Sequence, residues 1–193
     1  SHGISLEACY DWIFLDCDLN RTLLLLRHAK SAWSDPRLDD HDRPLNRRGE
    51  RAAKAMADHF AQLGLRPDLI LCSTALRTRQ TLAPIMATLA APAPLINLSK
   101  DLYLASEDML LTQLQAVSDD ATTVLLIGHN DGIWHFGAAL AGDGPPEELA
   151  ALRDKFPTGG LATLSLRDKP WRTVGFGAAR LVSFIRPRDL GVV

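Results

Sequence analysis

The feature that most constrains this chain is an alternation that begins at Thr22. Short, continuously apolar runs take turns with longer stretches that carry apolar residues at helical spacing. A strand that is apolar on consecutive residues must be covered on both faces, as in a parallel sheet flanked by helices. Residues 23–27 are the first such run. After a polar loop with Pro36 and Pro44, Asn46 is placed to cap a helix over 47–63. Its Ala52, Met56, Phe60 and Leu63 share one stripe, and it stops at Gly64. A second strand is predicted over 69–72, then a helix over 75–89 that Pro84 should kink or break, then a strand over 95–98. Ser106 is placed to cap a helix carrying Leu110, Leu111, Leu114 and Val117, and a buried strand over 123–127 ends at Gly128. A further helix starts near Asn130, 142–146 reads as a loop, and 161–166 and 181–185 read as closing strands. The expected fold is α/β: a doubly wound, mostly parallel sheet with helices on both faces.

A chain of 193 residues holds one such domain and not two. We expect it over residues 21–193, behind an N-terminal extension at 1–20. That extension mixes apolar and acidic residues without a Lys or Arg, unlike a signal peptide, and Ser1-His2-Gly3 has the look of a tag remnant. With 47% hydrophobic and 23% charged residues, disordered and fibrous classes are excluded. Lys and Arg number 21 against 23 Asp and Glu, so no long-range field draws in nucleic acid or an anionic membrane. No run approaches the ~18 apolar residues of a membrane helix. Cys9, Cys17 and Cys72 contain no CxxC pair, which suggests neither a disulfide framework nor a thiolate zinc site, and a reducing cytoplasm is the expected location. No pattern in the sequence selects an oligomeric state.

Three polar signatures fall at the carboxyl ends of predicted strands: Arg27-His28, then Arg77, then Gly128-His129-Asn130. In open α/β sheets that edge is where ligands bind. Two Arg and two His gathered there make a local cationic pocket in a weakly acidic protein. A phosphoryl group suits it, because Arg pairs bidentately with phosphate oxygens. His28 can hold one ring nitrogen on nearby backbone and offer the other, unprotonated, as a nucleophile. Arg27, Arg77 and His129 would then clamp the equatorial oxygens. Lys30, Ser31, Arg43 and Asn130 are further candidate substrate-binding residues. Lys30 and Ser31 read equally well as a solvated loop, and Arg43 as a surface ion pair with Asp39, Asp40 or Asp42. His41, His59 and His135 lack such support and read as structural.

Leu25-Leu26-Arg27-His28-Ala29-Lys30-Ser31, Ser73-Thr74-Ala75-Leu76-Arg77-Thr78-Arg79-Gln80-Thr81 and Gly128-His129-Asn130 together resemble the histidine phosphatase superfamily, with its phosphoglycerate mutase-like fold. The RHAKS form at 27–31, the Asp42-Arg43-Pro44-Leu45 step and the short length are most similar to its SixA-like phosphohistidine phosphatase branch. The resemblance runs from Arg21 to the C-terminus. It implies a phosphorylated His28 intermediate, with Arg27, Arg77 and His129 binding the phosphoryl group and no metal or other cofactor.

One departure from the family bears on the substrate. Larger members carry a carboxylate proton donor in an insert between the second Arg and the Gly-His-Asn step. Here 100–108 is short, and Glu107 and Asp108, directly behind Ser106, read as first-turn residues favoured by the helix dipole. A weak acid favours a leaving group that needs little help, such as the P–N bond of phosphohistidine. The expected function is therefore hydrolysis of phosphohistidine on a protein. The alternatives are a broad phosphomonoesterase for small phosphorylated molecules and a non-catalytic phosphate-recognition module, although a reader would need no nucleophile.

Rival motifs fail on spacing. Cys72 and Arg77 are one residue short of a C-x5-R phosphate loop, and Asp143 stands where a P-loop starting at Gly137 needs Lys. Gly175 and Gly177 lack the third glycine of a dinucleotide fingerprint. His129 and His135 are six apart, not the four of a helical metal pair. The loops at 31–44 and 141–153 are expected to set the breadth of the pocket.

Overall fold

The computed structural model describes residues 20–192. The predicted extension at 1–20, Asn20 apart, therefore lies outside the described residues. In chain order the elements are β1 (Thr22–Arg27), α1 (Arg47–Leu63), β2 (Leu69–Ser73), α2 (Leu76–Thr88), β3 (Leu95–Ser99) and α3 (Glu107–Gln115). They continue with β4 (Thr123–Gly128), α4 (Gly132–Leu140), β5 (Ala141–Asp143), α5 (Pro146–Asp154), β6 (Leu161–Ser165) and β7 (Ala179–Ile185). The strands form one sheet in the order β3-β2-β4-β1-β6-β7-β5. Four of its pairings are parallel, while β6 runs antiparallel to both β1 and β7.

The consecutive leucines of β1 explain the layering. Successive side chains on a strand point to opposite faces. Leu24 and Leu26 pack with Met56 and Phe60 of α1 and Leu82 and Ile85 of α2, whereas Leu23 and Leu25 join Leu110, Ile133, Phe136 and Leu152 from α3, α4 and α5. All four leucines are fully buried. The doubly wound expectation holds because a strand apolar on both faces has no other way to leave water.

Two local expectations need correction. The 142–146 stretch is not simply a loop: β5 ends in it and α5 begins there, with Pro146 at its first turn. With only Leu152 fully buried, α5 shows too little apolar periodicity to be read from sequence. Pro84 does not break α2, which runs as one helix because Leu82 and Ile85 on either side are anchored in the core. The strand expected over 95–98 forms as β3 at the sheet edge, where Leu95, Ile96 and Leu98 stay exposed.

Register brings the chemistry to one edge. Arg27 pairs with Gly128 on β4, and Cys72 with Ile127, so His28 and His129 emerge level with one another, one position past Ser73. On the other side Leu26 pairs with Leu161 and Leu161 with Ile185, which sets Arg186 at the same edge. Gly49 completes the support. A Cβ there would strike the Lys30 carbonyl, so only glycine lets the first turn of α1 pack onto the loop leaving β1. Asn46 caps that turn by accepting from the Gly49 N–H at 2.8 Å and donates its own N–H to the Lys30 carbonyl.

Candidate active site

His28 follows β1 directly and is buried, its own N–H donated to Gly128 O at 3.1 Å. Its Nδ1 lies 2.7 Å from Ala29 O. A carbonyl can only accept, so Nδ1 carries the proton and Nε2 keeps its lone pair. Burial is the main reason the imidazole is pushed down to about 4. The Ala29 hydrogen bond opposes this, and the positive charges of Arg77 and Arg27 add to it. At neutral pH His28 is thus an uncharged base with a defined tautomer and a free ring nitrogen.

The N-terminus of α2 places Arg77 against the same site. Its guanidinium donates to the backbone carbonyl of Asp40, to Asp40 Oδ2 at 2.8 Å and to His129 Nδ1 at 3.2 Å. His129 is therefore also neutral, with Nε2–H donated to Ser73 Oγ at 2.8 Å. Burial first, then the neighbouring His28 and Arg77, holds it down to about 3. The two imidazoles sit with ring centroids 5.1 Å apart. Tyr103 closes this side: its hydroxyl donates to Asp40 Oδ2 at 2.6 Å, and its ring meets His129 edge-on. The Tyr103 hydrogen bond and Arg77 hold the Asp40 carboxyl below its ordinary range despite some desolvation. Asp40 is an ionised acceptor at neutral pH, not a proton donor.

Arg27 donates Nη1–H to Phe156 O at 2.7 Å, and the Asn130 amide donates to the same carbonyl at 3.2 Å. Arg27 Nε and Asn130 Oδ1 are buried without a partner among the described residues. A buried donor left unpaired costs free energy, and Arg27 Nε is a donor suited to an anion.

The structure brings Arg27, His28, Arg77, His129 and Asn130 together. The other candidates lie at the margin. Ser31 is buried and bridges to Leu45, with its carbonyl accepting from Asn46, so its visible work is holding the loop. Arg43 lies 4.0 Å from Asp40 and stacks 3.7 Å over the exposed Trp33 ring, with Nε and Nη1 buried and unpartnered. It is more than the surface ion pair it resembled in sequence. Lys30 is exposed and turns toward a separate cavity.

Four residues escaped the sequence reading. Asp40 and His41 sit just before the Arg43-Pro44-Leu45 step, and Asp40 had been weighed only as an ion-pair partner of Arg43. His41, read as structural, reaches Thr74 Oγ1 at 2.9 Å and packs on Tyr103 at the rim. Ser73 is visible only as part of a motif, and Tyr103 carries no signal in sequence, because its partner Asp40 is 63 residues away. Glu107 is indeed a first-turn residue of α3 behind the Ser106 cap and lies 3.8 Å from His135.

Convergent Arg and His side chains at the carboxyl edge of a doubly wound sheet suit a phosphoryl group. The Histidine phosphatase superfamily (branch 1) matches residues 23–100. An uncharacterised protein of Mycobacterium tuberculosis is 39% identical over 166 residues, spanning 84% of this chain and all of the relative. Two solved structures assigned as the phosphohistidine phosphatase SixA share the fold, each with a TM-score of 0.73. The one from Nakamurella multipartitia is 33% identical and covers 87% of this chain and 96% of its own. The one from Agrobacterium tumefaciens is 35% identical over 86% and 98%. The chain belongs to the histidine phosphatase superfamily and has SixA-like structural neighbours. Among the described residues no helix is long and apolar enough to cross a membrane, and no three His, Cys, Asp or Glu side chains form a metal-sized group.

Proposed function

We propose that this phosphatase hydrolyses phosphohistidine carried on a protein, through a covalent phosphohistidine at His28. The observation that carries the reading is the His28 tautomer: Nδ1–H is committed to Ala29 O, which leaves Nε2 as an unprotonated nucleophile beside two arginines. In the first step Nε2 attacks phosphorus and the substrate P–N bond breaks. The leaving imidazole keeps that electron pair and departs neutral, with a proton on its distal nitrogen. In the second step water attacks the phosphorus on His28, yielding inorganic phosphate and restoring the free imidazole.

Arg77 and Arg27 neutralise the equatorial oxygens in both steps. His129 joins them by exchanging its Nδ1 contact with Arg77 for a phosphoryl oxygen, with the Ser73 hydroxyl then donating to Nε2. The preference for phosphohistidine over an alkyl ester rests on the acid. Asp40 is ionised and committed to Arg77 and Tyr103, and Glu107 faces His135. An alkoxide needs a positioned proton donor, whereas an imidazole does not. The cytoplasmic location expected from cysteine usage belongs to the same reading.

The test is kcat/KM on a phosphorylated histidine-containing carrier protein against glycerol and sugar phosphates, with acid-labile phosphate trapped on the enzyme. Faster turnover of the carrier and loss of the trapped species in His28→Ala are expected. Faster turnover of an alkyl phosphate overturns the substrate.

A further inference from the structure

Beside the site, on the β6–β7 side of His28, lies a cavity of about 520 Å³ that the clamp does not use. It is walled by the first turns of α1, the end of α5 and the segment leaving β7. Five cations line it, Lys30, Arg48, Lys155, Arg186 and Arg188, against the single acid Asp154. Arg186 is held by Asp189, and Arg188 lies 3.9 Å from the same carboxylate. Lys30, Arg48 and Lys155 have no carboxylate at ion-pair distance among the described residues.

Two further features favour a ligand over a merely solvated patch. The whole protein is slightly acidic, so five cations around one concavity are a local concentration and not a general excess. Arg48 also lies, with Arg47, in the first turn of α1, where the positive end of the helix dipole disfavours cations, and Glu50 is the one acid of that turn. A local rule broken at a cavity wall is expected where a site is functional or strained.

We infer that this cavity receives acidic side chains next to the phosphohistidine of the partner protein, an inference that rests on the function proposed above. The sheet sets the separation. Arg27 and Arg186 follow level residues on strands two apart, roughly 10 Å at the usual strand spacing. An extended segment covers that distance in about three residues. A carboxylate two to four positions from the phosphohistidine therefore reaches the cations while the phosphoryl group sits on His28. A cavity of this size lies within the range that encloses several side-chain groups.

The experiment compares two phosphohistidine peptides that differ only in Glu or Ala at those flanking positions. In the wild-type protein the Glu peptide should show kcat/KM at least about tenfold higher, a preference that shrinks as salt is raised. The ratio of the two values should fall toward one in Arg48→Ala and in Arg188→Glu, both exposed positions where folding is not at stake. A ratio near one in the wild type, or one that survives both variants, overturns the inference and leaves the phosphatase reading standing. A small bisphosphate favoured in an Arg48-dependent way, with no peptide preference, overturns the protein source. Calorimetry with the His28→Ala protein reads the cavity without turnover. There the unphosphorylated Glu peptide should bind with Arg48 present and lose affinity about tenfold in His28→Ala/Arg48→Ala, while equal affinities count against the cavity even if neither peptide is hydrolysed.

Discussion

The two sides of His28 solve the problem of charge differently. Toward β4 and β2, Arg77, Asp40, Tyr103, His129 and Ser73 are joined in a chain of hydrogen bonds from 2.6 to 3.2 Å. Toward β6 and β7, cations face a cavity with few acids. The first arrangement sets atoms to within a rotamer, as transition-state stabilisation requires. The second attracts a group without fixing it. If the two proposals above hold, the same sheet edge serves chemistry on one flank and recognition on the other, and substitutions on the two flanks should fail in different ways.

The largest effect belongs to the residue between them. His28→Ala should lower phosphate release by about a thousandfold or more, because no other side chain replaces the covalent route. Calorimetric binding of inorganic phosphate should persist; its disappearance would mean that His28 holds the anion and does not attack it. On the ordered flank, Arg77→Ala should cost about a hundredfold or more in kcat/KM and also raise KM, since it deletes donors to the oxygens that gain charge. A similar loss from Arg188→Ala on an aryl phosphate would erase the contrast between the flanks.

Acid should dismantle the ordered flank first. His28 and His129 titrate at about 4 and 3 in the folded protein, below the ordinary 6.5 they regain on unfolding. Between those values the unfolded chain binds more protons, so stability is intact above about pH 6.5 and falls as pH drops toward 4. The loss is on the order of a few kcal/mol, measurable as the shift in urea midpoint between pH 7 and pH 4.5. His28→Ala should flatten part of that slope. The smallest expected effect is at Asp40. Asp40→Asn removes one negative charge facing the anion while keeping acceptors for Arg77, so inhibition by phosphate should tighten about threefold. A weakened inhibition would instead show that Asp40 acts mainly by holding Arg77 in place.

Four residues of the candidate site were legible in the chain. Arg27 ends a strand, His28 and His129 each follow one, and Arg77 lies in the first turn of a helix behind another, so the strand pattern puts all four at one edge. Asp40 and Tyr103 were not legible, because they are 63 residues apart and meet only through Arg77 and a short hydrogen bond. Arg43 misled in the other direction. Its acidic neighbours suggested a surface pair, whereas its guanidinium is stacked on Trp33 with two nitrogens buried. The cavity was invisible for a similar reason, since its cations come from four places in the chain with ordinary charge around each.

The sequence by itself determined the layered α/β class, the cap at Asn46 and the carboxyl-edge placement of His28. These depend on period, on capping chemistry and on neighbours a few residues away. Tertiary structure alone decided that β6 reverses direction, that α5 forms, that Asp40 and Tyr103 join Arg77 in one hydrogen-bond chain and that five cations share one cavity. Each of those follows from strand register and from the burial of side chains distant in the chain. Their free energies arise only when separate segments exclude water together, and no local pattern of residues records that.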